Sequence, residues 1–227
     1  MDSNFVPDCP DLMLPSRPRR KNARLVLLLS TVMWAALVAT GLWWLWGYEN
    51  APGVGAISPS QWPSQSRIQL APNGPTLVML AHPHCPCTRA SIGELARIMT
   101  HSQGEVRAYV LFTRPEGSPE DWEKTDLWHS AADIPGVTVV KDSEGVEARL
   151  FNAATSGQTV LYNTRGQLLF SGGITGSRGH FGDNAGQGSV IAILKSEVPG
   201  QTETSVFGCP LFNPQSECKV LNDEGNK

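Results

Sequence analysis

A chain of 227 residues has room for one ordinary domain and its appendages. Its formal net charge is −3, and from residue 49 onward 13 basic side chains face 18 acidic ones, a balance of −5. That balance argues against nucleic acid or an anionic lipid surface as the main partner, since both require a cationic face.

The first 24 residues include Arg17, Arg19, Arg20, Lys21 and Arg24 and read as a basic cytoplasmic tail. Leu25 to Trp46 then runs 22 residues without a charged side chain. At about 1.5 Å per residue such a helix covers roughly 33 Å, enough for a hydrocarbon core of about 30 Å. Trp43, Trp44, Trp46 and Tyr48 gather at the far end, as in an interfacial aromatic belt. A cleaved signal peptide has a shorter apolar core and a small-residue cleavage site. Val54-Gly55-Ala56 matches that site weakly, so residues 25–48 read as an uncleaved signal-anchor in the inner, cytoplasmic membrane. The basic cluster ahead of the span predicts an external, periplasmic remainder. Cys9 is then cytoplasmic, whereas Cys85, Cys87, Cys209 and Cys218 face an oxidising compartment where disulfides persist.

Residues 49–65, rich in Pro, Gly, Ser and Gln, read as a flexible linker. The domain follows over residues 66–198. Thr76 to Leu80 is an apolar run suited to a strand buried on both faces. Thr88 to Thr100 is helical, with Ile92, Leu95, Ala96 and Met99 on one side. Val106 to Phe112 reads as a second strand and Trp122 to Ala132 as a second helix, whose Trp122 and Trp128 have core-like spacing. Val137 to Val140 is a strand, and 145–153 a short helix. Thr159 to Tyr162 and Gln167 to Phe170 flank Asn163-Thr164-Arg165-Gly166, a hairpin signal. A glycine-rich loop after Ser171 offers Arg178, His180 and Asp183 as site contacts, and Asn184 caps a closing helix. The order β-α-β-α-β-α-β-β-α predicts an α/β fold, a mixed sheet flanked by helices.

Between the first strand and first helix of this domain stands His82-Pro83-His84-Cys85-Pro86-Cys87-Thr88. A helix N-terminus stabilises a thiolate, which serves either disulfide exchange or soft-metal binding. For exchange, one cysteine attacks and the other resolves; the residues alone leave open which is which. A Cys-x-Cys bridge closes a very small ring, whose strain predicts an oxidising couple. A protonated His82 or His84 would lower a thiolate pKa. For metal, Cys85, Cys87 and His84 form a donor set for copper, with His129 and His180 as distal candidates. Cys209 and Cys218, nine residues apart, are expected to bridge each other within the tail 199–227. That loop of about ten residues would contribute about 2–3 kcal/mol. Linkage of Cys209 to Cys85 or Cys87 would instead make the tail a resolving arm.

The element order and the cysteine placement together resemble the thioredoxin-like superfamily over roughly residues 66–198. More narrowly the chain resembles the membrane-anchored bacterial proteins called RedB. The matching stretches are 82–91 (His-Pro-His-Cys-Pro-Cys-Thr-Arg-Ala-Ser), 154–159 (Ala-Thr-Ser-Gly-Gln-Thr), 171–175 (Ser-Gly-Gly-Ile-Thr) and 207–212 (Phe-Gly-Cys-Pro-Leu-Phe). The resemblance implies thiol–disulfide exchange or redox sensing through Cys85 and Cys87, without a cofactor and with protein thiols or disulfides as partners. Cys85 becomes the attacker by analogy. Gln158 and Thr159 fall near the family's substrate-binding cis-proline, but neither is proline; only one residue separates the cysteines, where the family has two. Two alternatives share the fold: a Sco-like copper-binding protein and a non-catalytic regulatory module.

Overall fold

The computed structural model of the chain describes residues 20–102 and 104–212, so Cys9, Arg17, Arg19 and Cys218 lie outside the described residues. The chain divides into two units, one ending at Trp46 and one beginning at Gly47. Most of the first is helix α1 (Arg20–Glu49). Its stretch Asn22–Glu49 is long and apolar enough to cross a membrane. Three hydroxyls in it bond back to the helix, Ser30 and Thr31 to the Leu27 carbonyl and Thr40 to that of Ala36. Such back-bonding leaves no hydroxyl donor unsatisfied along an apolar surface.

The second unit is built of β1 (Thr76–Ala81), α2 (Thr88–Ser102), β2 (Arg107–Arg114), α3 (Asp126–Ala132), β3 (Val137–Ser143), α4 (Val146–Leu150), β4 (Gln158–Tyr162), β5 (Leu168–Gly173) and α5 (Ala185–Leu194). The sheet order is β3-β2-β1-β4-β5. β1 and β3 run parallel to β2, whereas β4 is antiparallel to both β1 and β5. All six residues of β1 are buried. Leu77, Met79 and Ala81 face a core shared with Leu95 and Ile98 of α2, Leu127 of α3 and Val190 of α5. Val78 and Leu80 face a second core with Ala148, Phe151 and Tyr162. Each such buried side chain contributes about 1.5–3 kcal/mol by leaving water. The hairpin turn is fixed by Asn163, whose Oδ1 accepts the N–H groups of Arg165 and Gln167. Asn184 caps α5 by accepting the Gln187 N–H at 2.9 Å. The result is a mixed α/β sheet with helices on both faces, the thioredoxin-like arrangement.

Two stretches differ from expectation. Residues 49–65 are packed along the domain instead of hanging free. The Gly53 N–H bonds to the Val206 carbonyl at 2.8 Å, and the Tyr162 hydroxyl to the Pro59 carbonyl at 2.8 Å. Trp62 meets Phe151 and Tyr162 edge-on at centroid distances of 5.1 and 5.3 Å. An aromatic so placed contributes about 0.5–1.5 kcal/mol per ring pair beyond its burial, which adds to the backbone bonds that hold this stretch. The second difference is that α3 starts at Asp126, not Trp122. Asp121 sits in the left-handed region (φ 60°), which interrupts a helix and frees Trp122 for another role.

Candidate redox site

β1 ends at Ala81, and the next six residues turn directly into α2. The Cys85 N–H bonds to the His82 carbonyl at 3.1 Å and the Thr88 N–H to the Cys85 carbonyl at 3.1 Å. Pro86 removes no useful donor, because N–H groups at a helix start have no helical acceptor. Cys87 stands immediately before α2, and its carbonyl accepts the Ala90 N–H at 3.1 Å. Ser156, just ahead of β4, locks the turn. Its Oγ accepts the His82 N–H at 2.8 Å and lies 2.8 Å from the Thr88 hydroxyl. Next to it the Gly157 N–H bonds to the Leu80 carbonyl at 2.7 Å.

Three thiols meet at this turn. Cys85 is 1% exposed and Cys87 9%, and Cys209 is half-buried; none is in a disulfide. The Cys209 N–H points at Cys85 Sγ, 3.4 Å away. Burial alone would push the Cys85 thiol up. Donation from the Cys209 thiol and N–H, and from the Thr88 hydroxyl and N–H, outweighs burial and holds it below its ordinary value. Burial and the nearby Cys85 charge raise the Cys87 thiol, a rise that Arg178 partly offsets. Burial, its hydrogen bond to Cys85 and the charge of that sulfur push Cys209 up to about 12. Of the three thiols, Cys85 is the one shifted toward the thiolate, and Cys87 and Cys209 are shifted away from it.

His82 does not supply a positive charge. His82 Nδ1 accepts the His84 N–H at 3.2 Å, so that nitrogen carries no proton. Burial first and the His84 charge second lower the pKa of His82 further. Both rings pack on Trp122, at centroid distances of 5.5 Å for His82 and 4.5 Å for His84. Trp122, expected in the core by its spacing, therefore walls the turn.

Of the other residues singled out, Arg178 joins the site. Its Nη1 donates to the Gly208 carbonyl at 2.6 Å and its Nε to that of Ala51 at 3.1 Å, and its charge acts to lower the Cys87 thiol. His180 is exposed and holds only the Arg178 carbonyl, at 3.1 Å from Nδ1. Asp183 pairs with Arg97 on α2 at 2.7 Å. Gln158 and Thr159 lie within β4: Gln158 Nε2 donates to Ser58 Oγ at 3.0 Å and Thr159 Oγ1 to the Gly157 carbonyl at 3.2 Å. The residue that reaches the turn is Ser156, two positions earlier. A polar side chain directly preceding the glycine that opens β4 was the available signal.

Among the described residues no group of three or more His, Cys, Asp or Glu is gathered as a metal ion requires. His129 and His180, the distal candidates, are both exposed. Cys218 lies outside the described residues, so the expected Cys209–Cys218 bridge does too.

No protein-family model matches the chain, and no curated protein does. Among solved structures, an uncharacterized conserved protein from Geobacillus kaustophilus is similar at 16% identity and a TM-score of 0.52. It covers 73% of this chain and 94% of its own. A hypothetical protein from Sinorhizobium meliloti is similar at 17% identity and a TM-score of 0.50, covering 71% of this chain and 93% of its own. Both likenesses show the fold. The exposed lipoprotein thioredoxin Etrx1 from Streptococcus pneumoniae matches 55% of this chain and 86% of its own, at 13% identity and a TM-score of 0.41.

Proposed function

We propose that the domain performs thiol–disulfide exchange with protein partners through the Cys85-Pro86-Cys87 turn, Cys85 being the attacking thiolate. The carrying observation is the Cys209 N–H donating to Cys85 Sγ at 3.4 Å beside the head of α2, where hydrogen bonding from Cys209 and Thr88 holds the thiol below its ordinary value. The thiolate is the reactive form in exchange, so a thiol held below its usual pKa is the one poised to attack. It attacks one sulfur of a partner disulfide; a Cys85–partner bond forms, the partner's bond breaks, and the departing sulfur takes up a proton. The charge on Cys85 is then gone. One cause that kept Cys87 and Cys209 protonated disappears with it, and a second protein thiol can complete the exchange. The apolar helix α1 supports membrane anchorage, and the basic cluster ahead of it supports an external, periplasmic domain.

The test uses the full chain in detergent micelles, reduced and then mixed with a disulfide-bonded peptide. Thiol release is expected from the wild type and lost in Cys85→Ser. A wild-type rate in Cys85→Ser overturns the reading.

A further inference from the structure

Cys209 was expected to be a staple of the tail, yet its backbone N–H lies 3.4 Å from Cys85 Sγ. The segment that carries it is built into the domain. Ser156 N–H bonds to the Cys209 carbonyl at 2.8 Å, and Leu211 N–H to the Ala154 carbonyl at 2.9 Å. Thr155 and Pro210 form an antiparallel bridge between these bonds. Gly208 carries no side chain because a Cβ there would collide with the Ser156 carbonyl oxygen. Arg178 clamps the Gly208 carbonyl from the other side. Beyond the cysteine, Leu211 is buried in the same core as Phe151 and Ala153, and the Arg149 guanidinium lies over the Phe212 ring at 4.4 Å. The chain is therefore anchored on both sides of Cys209, and the anchors aim it at one sulfur.

We propose that Cys209 is a third redox cysteine, which resolves the Cys85–partner disulfide by forming a Cys85–Cys209 bond. The inference rests on the exchange reading above and names the resolving group for it. Geometry favours Cys209 over Cys87. A bridge between residues two apart must close a very small ring, whereas Cys209 arrives from across the turn, 124 positions away in sequence, with no such restriction. The steps balance as follows. Cys209 gives its proton to solvent and its sulfur attacks Cys85 Sγ. The bond to the partner breaks, and the second partner sulfur leaves and is protonated. The domain has lost two electrons and the Cys209 proton, solvent supplies the second proton, and the partner disulfide has become two thiols. A dithiol donor returns the domain to its starting state.

Trypsin separates the groups conveniently, since Cys85 and Cys87 fall on residues 68–89 and Cys209 and Cys218 on residues 196–219. The reduced full chain in detergent is mixed with one equivalent of the disulfide peptide, quenched by alkylation and mapped without reduction. The expected result is a cross-link between 68–89 and 196–219 in the wild type and in Cys218→Ser, absent in Cys209→Ser. In Cys87→Ser both peptide thiols are still released and the cross-link persists. In the double variant Cys87→Ser/Cys209→Ser release stops after the first thiol, and the mixed disulfide on Cys85 accumulates. The proposal is overturned if the tail forms only a bond within 196–219, or if Cys87→Ser alone stalls at the mixed disulfide. Either result leaves the exchange reading standing, because the wild type still reduces the peptide. Failure of the wild type to release any thiol overturns both.

Discussion

The cysteine turn at 82–88 and the strap at 202–212 meet at one sulfur atom but are held by different forces. The turn is local: a strand ends, bonds between residues three apart reverse the chain, and a helix begins. The strap contains no helix and no named strand. Backbone bonds to distant segments fix it, from Ser171 N–H to Thr202, from Thr204 N–H to Ser171 and from Gly53 N–H to Val206. Its apolar anchors are Val206 and Leu211. A segment held this way opens at a lower free energy than the sheet beneath it, because few buried contacts must be broken. The thiolate thus sits on a rigid turn, and its cover sits on a segment that can be detached separately.

The largest expected effect comes from pulling the strap's anchor. Leu211→Ala removes a side chain that is 4% exposed, and such truncations cost about 2–5 kcal/mol. Denaturant unfolding should show that loss, together with faster alkylation of Cys85 under native conditions. An unchanged alkylation rate would mean that the strap does not cover the thiolate. Ser156→Ala strikes the residue common to both regions. It removes the acceptor of the His82 N–H, and a buried donor left unpaired costs about 1–3 kcal/mol. Thermal unfolding checks this, and a loss confined to the noise would show that the two regions are not joined there.

The smallest effect sharpens the contrast without unfolding anything. Alkylation of Cys85 should follow its ionisation: slow below the thiol pKa, fast above it, with a midpoint under that of an ordinary cysteine. Cys209→Ala deletes the S–H donor that stabilises the thiolate, so the midpoint should move up. The backbone N–H of residue 209 remains, and so do both donors of Thr88. An unmoved midpoint would assign all the stabilisation to the turn and none to the strap's side chain.

The turn was legible in the sequence because its signals are local. An apolar run, a helical period and two cysteines between them specify strand, helix and site with no knowledge of the rest. The element order and the mixed sheet followed from the alternation of periods, and the Asn163–Gly166 hairpin and the Asn184 cap from residues with one dominant backbone preference. What escaped was set by distance. Trp122 has helical spacing, but a left-handed Asp121 ends the turn before the helix forms, and the indole goes to His82 and His84. Residues 49–65 have the composition of a tether, yet Trp62 finds Phe151 and Tyr162 across the fold. The approach of Cys209 to Cys85 spans 124 positions, and no local pattern announces it. Its surroundings held a signal of that approach. A glycine before the cysteine and Leu211 and Phe212 after it describe a chain that must approach another backbone closely and then bury itself.

The cover over Cys85 also bears on what happens when oxidant, not a partner protein, arrives. Thiolates climb from sulfenic to the irreversible sulfinic and sulfonic acids in proportion to their charge and their exposure. Cys85 is shifted toward the charged form but, at 1% exposed, has almost none of the exposure. Where peroxide does reach it, the resolving role proposed for Cys209 supplies a thiol with which a sulfenic acid condenses and sheds water. The sulfur that covers the site is therefore also its fuse, diverting damage into a bond that a dithiol can reopen.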